Sequence, residues 1–390
     1  MSEQNPRKAG LSPSPLLLAV LILSATVVAA GAFYFFTRET SVQTPMQSAP
    51  VAQSTVTAES MTSTPEPELG SIVFESGGVL YEQPVDRRGN PSNGLVQLGV
   101  QKSDIEKVKG LDVSSDGNSI LLYIGTDSSE KERLAVYSQS DGVTRPILNE
   151  EDLGLGSKLF GWHPNNREII YWDGEDIWLV DTFTDSKRRL ARPQEWGGLD
   201  YPPIIDGVDF SPDGSRLCIS YTLTGQGGSM WTANADGSNR NQVLKDDYRF
   251  SNLAWSPDGN WIAFAGRGVE IMHPNGENRQ TVGEMFAGGA SPQWSPDSLE
   301  LAYTTESAPG YKVKIYSLSN QNERTLIDDP NTSDVLPSWS PDGSHLTLLS
   351  NWSDKNGAEH IITVRRNGKD KQVINADGHS KRVIPFWLSK

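Results

Sequence analysis

The stretch LAWSPDGNWIAFA at 253–265 reads as two apolar strands joined by a tight turn. Pro257 presets the turn dihedral, Asp258 accepts a backbone hydrogen bond, and Gly259 accommodates positive φ. The pattern returns as VDFSPDGSRLCIS at 208–220, PQWSPDSLELAYT at 292–304 and PSWSPDGSHLTLL at 337–349. Weaker copies are LDVSSDGNSILLY at 111–123 and FGWHPNNREIIYW at 160–172, and PFWLSK at 385–390 matches the beginning of one more. The aligned positions Val113, Trp162, Phe210, Trp255, Trp294, Trp339 and Trp387 lie 39–49 residues apart, room for a small sheet and its turns.

Within one interval the chain predicts four strands. After Trp261-Ile262-Ala263-Phe264 comes Gly268-Val269-Glu270-Ile271-Met272, then a turn at Pro274-Asn275-Gly276; a short last segment such as Arg324-Thr325-Leu326-Ile327 completes the unit. A sheet with apolar side chains on both faces cannot stand alone. Radial stacking against neighbouring sheets buries those faces and leaves only short outer edges.

These repeats resemble the TolB-type, WD-repeat-like β-propeller family, in which a Trp-Ser-Pro-Asp-Gly signature recurs at the first strand–turn junction. The likeness spans residues 70–390. It implies an all-β propeller with a binding or assembly role, without membership in any particular transport complex. Departures at Ser114-Ser115, His163-Pro164-Asn165-Asn166 and Ser298 leave the register open there. Residues 71–99 look like the last three strands of a unit, and 383–388 like a first strand without successors. Joined with six internal units they predict seven blades closed by both termini; the alternative is six blades with decorative ends.

Residues 16–36, LLLAVLILSATVVAAGAFYFF, carry no formal charge. As a helix they rise about 31 Å, near the thickness of a bilayer's hydrocarbon. Arg7 and Lys8 precede the run, which favours a cytoplasmic N-terminus. From Thr37 to Leu69 Ser, Thr and Pro dominate and no aromatic residue occurs, too little apolar surface to offset ordering the backbone. The expected organisation is a short cytoplasmic tail at 1–15, a transmembrane signal anchor at 16–36, a disordered linker at 37–69 and the propeller at 70–390. The protein would then be single-pass, with its propeller on the extracytoplasmic side. A signal peptide cleaved after Val28-Ala29-Ala30 is the rival reading.

Thirty-four Lys and Arg against 49 Asp and Glu give a formal charge of -15, which argues against a broad nucleic-acid surface. The lone Cys218 excludes an internal disulfide and reads as a small filler of a second strand. His163, His273, His345, His360 and His379 show no metal-ligand spacing and read as turn or surface residues, so no metal or cofactor is expected. Asp116, Asp213, Asp258, Asp297 and Asp342 share one turn position, an architectural reason for all five. The acidic Asn149-Glu150-Glu151-Asp152 reads as a solvated loop ahead of a calcium site. Neither a glycine-rich nucleotide loop nor a Gly-x-Ser-x-Gly elbow occurs, and no residue stands out as catalytic.

Propeller loops vary while the blades keep their packing, a geometry suited to recognition. The segments leading into first strands lie at 198–203, 248–252 and 330–334; the first two offer aromatic contact beside hydrogen-bonding groups, and the third is polar apart from its proline. Asp200, Tyr201, Arg249, Asn252 and Asp334 are the candidate binding residues, for a protein or peptide partner. A propeller enzyme acting on a carbohydrate or peptide is the alternative.

Overall fold

Seven four-stranded antiparallel sheets make up the domain, each with its strands in chain order except the one that joins the two ends. The computed structural model describes residues 68–76, 79–92, 94–99, 108–124, 133–148, 157–199, 201–284, 292–308, 310–351, 360–374 and 385–388. The expected anchor at 16–36, nearly all of the linker, the acidic stretch at 149–152, Asp200 and His379 lie outside these residues. All described residues belong to the second of two units, Met1–Thr37 and Arg38–Lys390. Among them no helix is long and apolar enough to cross a membrane.

The first strands of blades 2 to 7 are Val108–Val113, Lys158–Trp162, Ile204–Phe210, Ser251–Trp255, Gln293–Trp294 and Asp334–Trp339. Each ends at the aligned position of the repeat. These strands touch one another in sequence around the ring, and Phe386–Leu388 touches both the blade 7 and blade 2 strands. They are therefore innermost. Blade 1 joins the two ends of the described domain: Phe386–Leu388 pairs antiparallel with Glu68–Ser76, setting Leu388 against Ser71, Trp387 against Ile72 and Phe386 against Val73. This closure decides for seven blades over six with decorative ends.

The core is layered in the way radial stacking demands. Seven apolar clusters form among the described residues, each shared by two neighbouring blades. Cys218, fully buried, packs with Met230, Phe250, Trp255 and Phe264 between blades 4 and 5. Burial drives its thiol pKa strongly upward, so it acts as the small hydrophobe its place in the strand implies.

The repeated turn is built as its residue types dictate. In blade 5, Ser256 Oγ donates to Asp258 Oδ1 at 2.5 Å and accepts the Trp261 amide at 2.9 Å. The Gly259 amide returns to the Ser256 carbonyl at 2.9 Å with φ 74°. Blades 2, 4, 6 and 7 repeat the Ser–Asp bond at 2.6–2.8 Å. The sequence departures keep the same turn: Ser298 and Asn166 take φ of 59° and 56° where the other copies have glycine. His163 supplies a ring nitrogen in place of the serine hydroxyl, accepting the Asn165 amide at 3.2 Å. His345 and His360 are buried in second and third strands of blade 7, so the expectation of turn or surface positions fails for them. Strand periodicity put apolar and polar side chains at such sites alike, and packing between blades chose the inside.

Candidate functional site

The lead-in loops and the turns between second and third strands share one end of the ring. At that end, the first strands of blades 3 and 4 and the loop before that of blade 5 bring together Lys158, Asp206 and Arg249. The Asp206 side chain is fully buried at the start of Ile204–Phe210. One of its oxygens accepts from Arg249 Nη2 and the other from Thr222 Oγ1. Lys158 Nζ donates to the Ile205 carbonyl at 2.7 Å and stands 5.7 Å from the centre of the Trp172 ring. Burial pushes the Lys158 ammonium down from its usual range; Asp206 draws it back up, and Arg249 adds to the fall. The Trp172 indole N–H is buried with no acceptor. The shielded carboxylate thus braces Arg249, whose side chain remains 41% exposed, and Lys158 is tied to the backbone of the same strand.

The candidate residues fall unevenly on this frame. Tyr201 is exposed in the segment leading into Ile204–Phe210, its hydroxyl accepting from Gln226 Nε2 at 3.3 Å. Asn252 sits in the left-handed region at φ 52°, where Asn is among the few residues that settle readily. Asp200 lies outside the described residues. Asp334 belongs to blade 7, two blades further round, and is buried. Its carboxylate accepts from Ser350 Oγ at 2.5 Å and Thr332 Oγ1 at 2.9 Å, with Lys312 Nζ at 3.5 Å. Lys312 Nζ also donates to the Asp329 and Thr332 carbonyls at 2.5 and 2.6 Å. The 330–334 loop is thus wrapped around an ammonium, and Asp334 serves that loop's architecture.

The aromatic residues of the 248–252 loop divide as well. Phe250 is core. Tyr248 lies between Arg267 and Arg279, whose guanidinium carbons are 4.8 and 5.7 Å from its ring centre, and donates to Glu270 at 3.2 Å. Burial raises the pKa of Glu270, the Arg267 amide opposes that rise, and Asp246 reinforces it.

Deeper along the inner strands, two carboxylates tie blades together. Asp112 accepts the Val113 amide at 2.8 Å and the Trp162 amide of blade 3 at 3.2 Å. Asp209 accepts the Phe210 amide at 2.8 Å and the Trp255 amide of blade 5 at 2.6 Å. Burial raises Asp112 to about 6 and Asp209 to about 7; in both the amide bonds pull the other way, and Asp112 adds to the rise at Asp209. Gly161 leaves the room that Asp112 needs: a Cβ there would lie 2.5 Å from its Oδ2. Sequence reasoning missed Lys158, Asp206, Asp112 and Asp209. The signal available was the acidic residue one place before the aligned position in LDV and VDF, inside otherwise apolar strands.

No family model matches the sequence and no curated protein matches it. Solved structures match its fold. An oligogalacturonate lyase from Vibrio parahaemolyticus is 12% identical, with 80% of this chain and 89% of that one covered at a TM-score of 0.55. A structure from a study of two prolyl endopeptidases is 12% identical at a TM-score of 0.54, covering 79% of this chain and 51% of that one. TolB from Acinetobacter baumannii is 14% identical, with 80% and 79% covered at a TM-score of 0.49. The seven-bladed architecture is that of a β-propeller, and likeness at these identities is likeness of fold. Function has to be argued from the site.

Proposed function

We propose that the protein is a membrane-tethered, extracytoplasmic β-propeller that binds a protein or peptide at the lead-in end of blades 3 to 5. The observation that carries this reading is Arg249, a partly exposed guanidinium fixed by the buried Asp206 carboxylate, with Lys158 bonded to the neighbouring Ile205 carbonyl and the exposed Tyr201 in the segment leading into the same strand. A cation held in place before binding loses little freedom when a partner's carboxylate or carbonyl arrives, and an exposed tyrosine adds contact area at low entropic cost. The tether rests on the uncharged run at 16–36 and the polar segment after it.

A propeller enzyme is the second reading, and Asp112 with Asp209 is the observation in its favour, because carboxylates of raised pKa mark many active sites. Each of their four oxygens already takes a backbone N–H, three of these bonds spanning at most 2.8 Å, which suits a clasp between blades better than an acid presented to substrate. Among the described residues no three metal-ligating side chains gather.

The deciding experiment places a photocrosslinking residue at Tyr201 in the native host. A defined crosslinked species should appear and should fade in Arg249→Ala, while Lys369→Ala, an exposed turn residue on the opposite end, leaves it intact. Equal capture in wild type and in a folded Arg249→Ala protein would discard this face. Turnover of a saccharide or peptide by the purified chain would replace binding with catalysis.

A further inference from the structure

On the opposite end of the ring, where the Ser-Pro-Asp-Gly turns lie, blades 6 and 7 line an open pocket of about 400 Å³. Its lining is Glu300, Arg324, Ser344, Arg365, Arg366 and Asn367: three guanidinium groups and one carboxylate in a chain whose formal charge is -15. Glu300 Oε2 accepts from Arg366 Nε at 2.9 Å and Arg324 Nη2 at 3.2 Å, so one anion orients two cations. Arg366 is further held by Asp297 at 2.7 Å and by the face of Trp339, 5.4 Å from the ring centre. Arg324 Nη2 also donates to the Arg366 carbonyl at 2.6 Å. Arg365 Nε lies 2.7 Å from Asp370 yet is buried without a hydrogen bond.

Each guanidinium carries five N–H donors, and these protein acceptors engage a minority of them. Three planar forks at one cavity match a group with several equivalent charged oxygens better than a single carboxylate, and arginine meets phosphate oxygens in paired bonds. We propose that this pocket binds a phosphoryl group, carried by a soluble phosphate ester or by a lipid headgroup. The site is independent of the recognition face on blades 3 to 5: the two share no residue and occupy opposite ends of the ring.

Calorimetry on the full chain in nonionic detergent would compare glycerol 3-phosphate with dihexanoyl phosphatidic acid, at fixed ionic strength. Binding of either, weakened about tenfold by Arg365→Gln and by Arg324→Gln, is the expected result, since each variant removes charge-assisted bonds to the ligand. Equal affinities assign the phosphoryl group to soluble esters, and tighter binding of the phosphatidic acid assigns it to lipid. Arg365→Gln decides alone if Arg324→Gln fails to fold, because the Arg365 side chain is 42% exposed and pairs with the exposed Asp370. Absence of binding by both probes overturns the proposal, as does unchanged affinity in a folded Arg365→Gln protein.

Discussion

The Asp209 carboxylate of blade 4 accepts the backbone N–H of Trp255 in blade 5 at 2.6 Å. The bond runs from the residue before the aligned position of one repeat to the aligned position of the next, and Asp112 makes its counterpart to Trp162 between blades 2 and 3. An inner strand binds its neighbour in the ring through a side chain, where no sheet ladder runs. Tryptophan does the same elsewhere: the Trp294 and Trp339 indoles donate to the Ala254 and Gln293 carbonyls of preceding blades at 2.9 and 3.0 Å.

Those carboxylates give stability a definite dependence on pH. Their folded pKa values, about 6 and about 7, exceed the ordinary 3.8, so the folded state holds these protons more tightly than the unfolded one. The stabilisation is full below about 4 and is lost as pH rises through 6 to 7. Asp213 and Asp297 run the other way. The hydroxyls of Ser211 and Ser215 hold Asp213 at about 2; burial would raise Asp297, but Arg366 and Ser295 bring it to about 2 as well. Their contribution is present above the ordinary carboxylate range and is lost as pH falls from there through 2. Denaturant midpoints should therefore decline from pH 5 to pH 8, and carboxyl-carbon NMR should find two resonances titrating near 6 and 7. Midpoints that rise over that interval would contradict the assignment.

Ring closure should be the domain's most consequential contact. Trp387 packs against Ile72, Phe74, Leu349 and Ile361. Trp387→Ala should cost about 3–5 kcal/mol through lost burial and the cavity left behind. Deleting 382–390 removes the strand that pairs with Ser71, Ile72 and Val73, so hydrogen exchange should rise there and at Leu80, which shares a cluster with Leu388. Protection at Ile72 that survives the deletion would mean that blade 1 stands without its fourth strand.

The blade 7 loop offers a test of the buried ammonium. Lys312→Met leaves Asp334 shielded without its cation and takes the ammonium from the Thr332 carbonyl, while the Asp329 carbonyl keeps the Thr332 amide at 3.2 Å. Removing one member of a buried pair costs about 3–5 kcal/mol. Urea denaturation should record that loss, and limited proteolysis should find new cleavage within 329–334. If stability holds while the loop stays protected, water replaces the ammonium at little cost.

The fold was legible because propeller blades are local. Strand, Ser-Pro-Asp-Gly turn and second strand lie within thirteen residues, so LAWSPDGNWIAFA carries its own pairing and turn chemistry, and periodic return of the motif specifies the ring. Complementary half-blades at the two ends carried the closure in the same way. The site was less legible because it is made across blades: Arg249 meets Asp206 from 43 residues away. Asp334 read as loop chemistry, yet its partners Lys312 and Ser350 come from two other strands and draw it inside. Lys158 gave no local sign at all.

The tether remains to be tested where the sequence is most emphatic. An apolar run of this length with Arg7 and Lys8 before it should leave the N-terminus in the cytoplasm, and the polar residues from 37 to 69 would hold the propeller clear of the bilayer. Protease added from the outer side should then remove the propeller and leave an N-terminal tag intact. Protection of the propeller reverses the orientation. A mature protein beginning near residue 31 identifies cleavage, and fractionation then separates the released domain from the membrane. The two outcomes also bear on the phosphoryl pocket. A propeller tethered through residues 37–69 would meet headgroups at high local concentration, whereas a released one would meet them only by diffusion, so retention of the anchor would favour a lipid phosphate over a soluble ester in the cell.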